Sequence, residues 1–156
     1  MGMKNNQDIN LAYFGFQNKI NQSGGVNTHD SQLLPRKDGS LDFNLKCSLN
    51  FGKEFQQLLK TDTWYIYLTV LSEEADLKGQ IYLDQVYGPI PKDIGSISFG
   101  AGFDVHVDGK LIVQNSIRSL LFELSITNKT DEDDGFDSAI KDSCFFQTVI
   151  PIWSNK

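Results

Sequence analysis

Two cysteines, two histidines and four prolines are all that 156 residues hold of those types, and no apolar run approaches the ~20 residues that cross a bilayer. Cys47 and Cys144 lie far apart in sequence, each in a strand-like segment, so each is expected to be a small buried hydrophobe and not part of a disulfide framework. Residues 1–10 are polar and lack the apolar stretch of a secretory leader. The expectation is a product without membrane insertion, either cytoplasmic or exported without a cleaved signal. Clustered cations are missing too. Lys plus Arg number 14 against 20 Asp plus Glu, a net charge of −6. Nucleic acid and anionic membranes are therefore not expected partners, because both bind through grouped Lys and Arg that displace counterions. The acidity is local: Thr130–Asp142 carries six acids and one lysine, while the remaining chain has 14 acids and 13 bases.

Signatures of familiar chemistry are equally sparse. No Gly-x-Ser-x-Gly elbow is present, and Gly100-Ala101-Gly102 lacks the third glycine and the following helix of a dinucleotide fingerprint. No repeat recurs at periods of about 20 to 50 residues. Asn21-Gln22-Ser23 and Asn128-Lys129-Thr130 match the glycosylation acceptor pattern, but with no secretory leader expected, they are expected to be chance matches.

What is abundant is strand pattern. Hydrophobic residues make up 40% of the chain and eleven are Phe, a globular composition, and a chain of this length forms one domain able to bury a core without staples. From Leu41 to Phe51, six apolar residues alternate with five polar ones, the period of a strand with one wet face. Gly52 ends that run, and Phe55, Leu58 and Leu59 then fall at i, i+3 and i+4, predicting a helix of about two turns over 53–60. Thr63–Leu71 is aromatic and β-branched on both alternating sets, the mark of a central strand covered on both faces. Gln80–Tyr87, Ile94–Phe99, Phe103–Val107, Ser116–Thr127 and Ser143–Trp153 supply further strands. Asp108-Gly109, set between Phe103–Val107 and Lys110–Val113, predicts a two-residue type I′ hairpin, since both central residues of that turn need positive φ. The sum is an all-β fold: an antiparallel β-sandwich or small β-barrel of about seven to nine strands with one short helix.

Residues 1–35 differ from the rest. Asn, Gln, Ser and Gly dominate, interrupted by one apolar patch, so the expected organisation is an N-terminal arm over 1–35, with a short strand at 9–16 and a polar connector, followed by a sandwich domain over 36–156. The Gln17–Gln32 connector has a root-mean-square reach of about 20 to 25 Å, enough to dock the strand on its own body or a neighbour's. Leu11, Tyr13, Phe14 and Phe16 are the residues expected to make such contacts.

Three constellations invite chemistry. Asp104, His106 and Asp108 share one strand face, as metal ligands would, but a second histidine is needed and only His29 is left; an amphipathic strand facing water explains the same residues. Asp131, Asp133, Asp134 and Asp137 form an acidic loop in which Ca²⁺ is a candidate ion, although the spacing departs from an EF-hand, with Lys141 where a bidentate Glu belongs. Tyr65 and Tyr67 lie on one strand face and could stack on sugar rings or simply fill the core. No catalytic residue stands out; a hydrolase would have to use His106 as base. The leading expectation is a non-enzymatic structural subunit of an ordered assembly such as a tube, shell, fibre or inclusion, with the arm contacting neighbouring subunits and no cofactor. The alternative is a lectin-like carbohydrate-binding module, with Ca²⁺ held by the acidic loop.

Overall fold

The computed structural model describes residues 8–19, 31–73, 80–92 and 98–154. Along them run β1 (Ile9–Asn18), β2 (Leu41–Phe51), α1 (Lys53–Thr61), β3 (Trp64–Ser72), β4 (Tyr82–Ile90), β5 (Ser98–Val107), α2 (Gly109–Gln114), β6 (Ser119–Thr127), α3 (Phe136–Asp142) and β7 (Cys144–Pro151). The strands form two antiparallel sheets, β1-β2-β5 and β4-β3-β6-β7, stacked as an open sandwich and not closed as a barrel.

The period-two run of β2 explains the stacking directly. Leu41, Phe43, Leu45 and Leu49 are fully buried, whereas Asp42, Asn44 and Lys46 of the same strand face outward. Across the interior the Phe43 ring meets Phe122 of β6 edge-on at 5.6 Å, and Phe16 of β1 approaches its other side at 6.4 Å. β3 sits inside its sheet, paired with β4 and β6, with Ile66, Leu68 and Val70 on the core face and Tyr67 and Thr69 buried on the other. β4 runs on through Gly88-Pro89, which an edge strand tolerates because the missing N–H has no neighbour to serve.

The expected helix is present as α1, burying Phe55 and Leu59 while Leu58 leans into solvent. Its N-cap residue, Gly52, has no side chain to offer, and the cap comes from the arm instead. The Asp8 carboxylate accepts the Phe55 N–H at 2.9 Å, and the Asp8 carbonyl accepts the Gly52 N–H at 2.8 Å. A Cβ on Gly52 would collide with that carboxylate.

Two helices beyond the expected one appear, and one replaces the predicted hairpin. Asp108 has φ −62° and ψ 130°, and its carboxylate accepts the Lys110 N–H at 3.0 Å, making it the N-cap of α2. β5 pairs instead with β2, in the register Leu41↔Val107 through Asn50↔Ser98. Gly109 is a glycine because of crowding and not because of positive φ: a Cβ there would collide with the Asp38 carbonyl oxygen and lie 2.7 Å from Ser40 N. The positive φ belongs to another Asp-Gly pair, Asp38-Gly39, where Gly39 has φ 85°. There the Ser40 hydroxyl and N–H donate to the Asp38 carboxylate at 2.6 and 2.9 Å, holding its pKa below the usual range. Gly109→Ala is expected to destabilise the fold by about 2 kcal/mol, the cost of overpacking against backbone. Gly100→Ala, a strand position with open space around it, is expected to be neutral or slightly stabilising. Urea unfolding of the two variants checks the contrast.

Of the predicted Ile94–Phe99 strand, residues 94–97 lie outside the described residues; Ser98 and Phe99 begin β5.

Candidate functional site

The two sheets leave two flanks. On one, β1 and β7 are the edge strands and lie close together, with the Phe14 and Phe146 rings 4.9 Å apart. Neither strand holds a charged residue from end to end: β1 reads INLAYFGFQN and β7 reads CFFQTVIP. The edges of the other flank are marked by charge, with Asp84 in β4 and Asp104 and His106 in β5. Charge, proline and bulges are the usual devices that keep a sheet edge from pairing with another chain. β1 has one of these, a bulge between Leu11 and Tyr13, beyond which Tyr13–Asn18 pairs regularly with β2, and β7 has two, a bulge at Phe145 opposite Leu124 and Ser125 and the terminal Pro151, so what sets this flank apart is its lack of charge.

One end of this flank is sealed. Leu33, fully buried, bridges in parallel to Ile152; its N–H donates to the Pro151 carbonyl at 2.9 Å and its carbonyl accepts the Trp153 N–H at 2.8 Å. The buried Asn18 amide completes the seal, donating to the Gln32 carbonyl at 2.8 Å and accepting the Leu34 N–H at 3.0 Å. Along Ile9–Gln17 and Cys144–Val149 no further strand pairs with the edge among the described residues. The arm strand therefore docks on its own domain. Phe16 enters the core, Leu11 and Phe14 pack against it, and Tyr13 stands exposed on the outer face.

The tyrosines expected to take a ligand divide. Tyr67 stacks on Tyr87 at 5.1 Å and meets Phe136 of α3 at 5.3 Å, is almost wholly buried, and donates its hydroxyl to the Lys129 carbonyl at 2.9 Å. Burial first, then the neighbouring Tyr87, Tyr65, Asp131 and Asp133, push its pKa up to about 12. Tyr65 is half-buried beside Tyr87, 5.9 Å away, and Tyr87 as a residue is 62% exposed.

The acidic segment is more ordered than a solvated loop. Asp133 accepts the Thr130 N–H at 2.8 Å and returns its own N–H to the Thr130 carbonyl at 2.9 Å. Gly135, at φ 75°, leads into α3, whose Ile140 is buried and accepts the Ser125 hydroxyl at 2.9 Å. Phe136 and Ile140, four apart, were the available sign of this helix. Asp131, Asp134 and Asp137 are exposed, and no group of three His, Cys, Asp or Glu side chains gathers to hold a metal among the described residues.

The Asp104, His106 and Asp108 set separates into three tasks. Asp104 accepts from Asn44 at 2.9 Å and pairs with Lys19 at 3.0 Å; these contacts, Asn44 first, hold its carboxyl below the usual range. His106 Nδ1 lies 3.6 Å from the Asp42 carboxylate, itself paired with Arg36, and Asp108 caps α2. His29 lies outside the described residues. Both cysteines are free thiols; burial pushes Cys47 up to about 11 and raises Cys144 as well.

No protein-family model and no curated protein matches the chain.

Proposed function

We propose that the protein is a non-enzymatic structural subunit that assembles with copies of itself through the flank formed by β1 and β7. One observation carries this reading: two adjacent edge strands, ten and eight residues long, hold no charged side chain. Unpaired N–H and C=O groups along such an edge form a template for a strand of another copy, which would extend the sheet by main-chain hydrogen bonds. The arm serves the assembly from its place in the sheet, anchored inward by Phe16 and presenting its outer edge and the exposed Tyr13.

The test is to charge the edge at positions whose side chains are already exposed. Ala12→Lys with Gln17→Lys alters β1, and Gln147→Lys alters β7. Light scattering across a concentration series is expected to show the unaltered chain at multiples of its monomer mass and the triply altered chain as monomer. The unfolding free energy should change by no more than about 0.5 kcal/mol, as for other surface substitutions. An unaltered chain that stays monomeric throughout, or an altered one that associates equally well, contradicts the proposal.

A further inference from the structure

Around the bend that follows β6, the fold brings together residues that no local pattern links. A cleft of about 320 Å³ opens between the start of β3, the end of β6 and one side of α3, lined by Trp64, Asn128, Lys129, Ser138 and Asp142 among others. That volume lies at the lower end of the range for small-molecule sites. Two features of its lining bear on what it could hold. Trp64 Nε1 is the one buried side-chain nitrogen or oxygen without a hydrogen-bond partner among the described residues, and a buried orphan donor calls for an acceptor. Asp142, exposed in the last turn of α3, has no ion-pair or hydrogen-bond partner among the described residues, which leaves its carboxylate open to accept from a ligand. Neighbouring polar groups are already engaged: the Asn128 amide donates to Asp62 at 2.7 Å, and the Ser143 hydroxyl donates to the Ala139 carbonyl at 2.6 Å.

We propose that this cleft binds a neutral, hydroxyl-rich ligand of one or two sugar rings. Trp64 supplies an apolar wall for the C–H face of a ring, and the Asp142 carboxylate, flanked by the Ser138 hydroxyl, accepts from the ring's hydroxyls. Lys129 and Asp142 carry opposite charges, so the lining favours neither an anion nor a cation. No residue of β1 or β7 lines the cleft, although Ser143 directly precedes β7, and the proposal does not depend on assembly.

The experiment uses the full chain labelled with ¹⁵N and titrated with a panel of neutral mono- and disaccharides up to tens of millimolar. The two indole N–H resonances are distinguished through Trp153→Phe, the exposed second tryptophan. The expected result is a saturable shift of the Trp64 resonance with one sugar class while that of Trp153 stays still. Asp142→Asn is expected to weaken that binding at least tenfold without lowering the melting temperature, because the side chain is exposed and makes no hydrogen bond or ion pair among the described residues. No saturable shift with any sugar, equal shifts of both indoles, or binding unchanged in Asp142→Asn overturns the proposal; the orphan N–H then serves a structural water only.

Discussion

Deleting residues 1–19 is expected to abolish cooperative folding. β1 pairs with β2 along nearly the whole length of both, from Ile9↔Phe51 to Asn18↔Phe43. Its loss would uncover the core at Ile9 and Phe16, remove the packing of Leu11 and Phe14, and take away the Asp8 cap of α1. Each large apolar side chain contributes about 1.5–3 kcal/mol on burial and the cap about 1 kcal/mol. Together these approach the whole stability of an ordinary domain, about 5–15 kcal/mol. The near-ultraviolet dichroism of the shortened chain should be lost and its thermal transition should broaden or disappear. A sharp transition with an intact near-ultraviolet spectrum would show that the arm is an appendage and not a strand of the body.

Phe43→Ala is the point substitution with the largest expected effect. Phe43 has no exposed surface and touches rings from both directions, Phe16 on its own sheet and Phe122 on the facing one. Truncation is expected to cost about 4 kcal/mol, the transfer of the ring plus the cavity that remains. Phe43→Leu, closer in volume, should cost about 1.5 kcal/mol. Urea unfolding checks both, and a loss under 1 kcal/mol for the alanine variant would mean that the two sheets do not pack at this point.

The parts of the fold legible in the sequence are those where one residue's surroundings repeat regularly. β2 alternates because one face meets the opposite sheet and the other meets water, and β3 is apolar on both faces because the opposite sheet covers one and the Tyr87 and Phe136 rings pack over Tyr67 on the other. The hairpin expected at Asp108-Gly109 failed for a physical reason: a glycine serves positive φ or close approach, and only the position of the Asp38–Ser40 backbone distinguishes them. The same dipeptide at Asp38-Gly39 is the genuine turn. α3 was hidden because it is short and begins in an acidic run, where the charge pattern overrides a single Phe136–Ile140 pair. Tyr67 shows the limit for sites: its strand face is legible, but its burial depends on Phe136 and Lys129, about 60 residues away. The open flank and the Trp64 cleft were out of reach because each is assembled by strand order and not by spacing along the chain.

The flank reading also separates the two sheet edges that matter from the two that do not. Strand addition at β1 or β7 would protect amides there, while β4 and β5, which carry Asp84, Asp104 and His106, would be untouched.

Amide hydrogen exchange at two protein concentrations, one dilute and one well above it, measures this residue by residue. Slower exchange along Ile9–Gln17 and Cys144–Val149 in the concentrated sample alone, with β4 and β5 unchanged, is the predicted result. Identical rates on that flank at both concentrations would contradict assembly through β1 and β7.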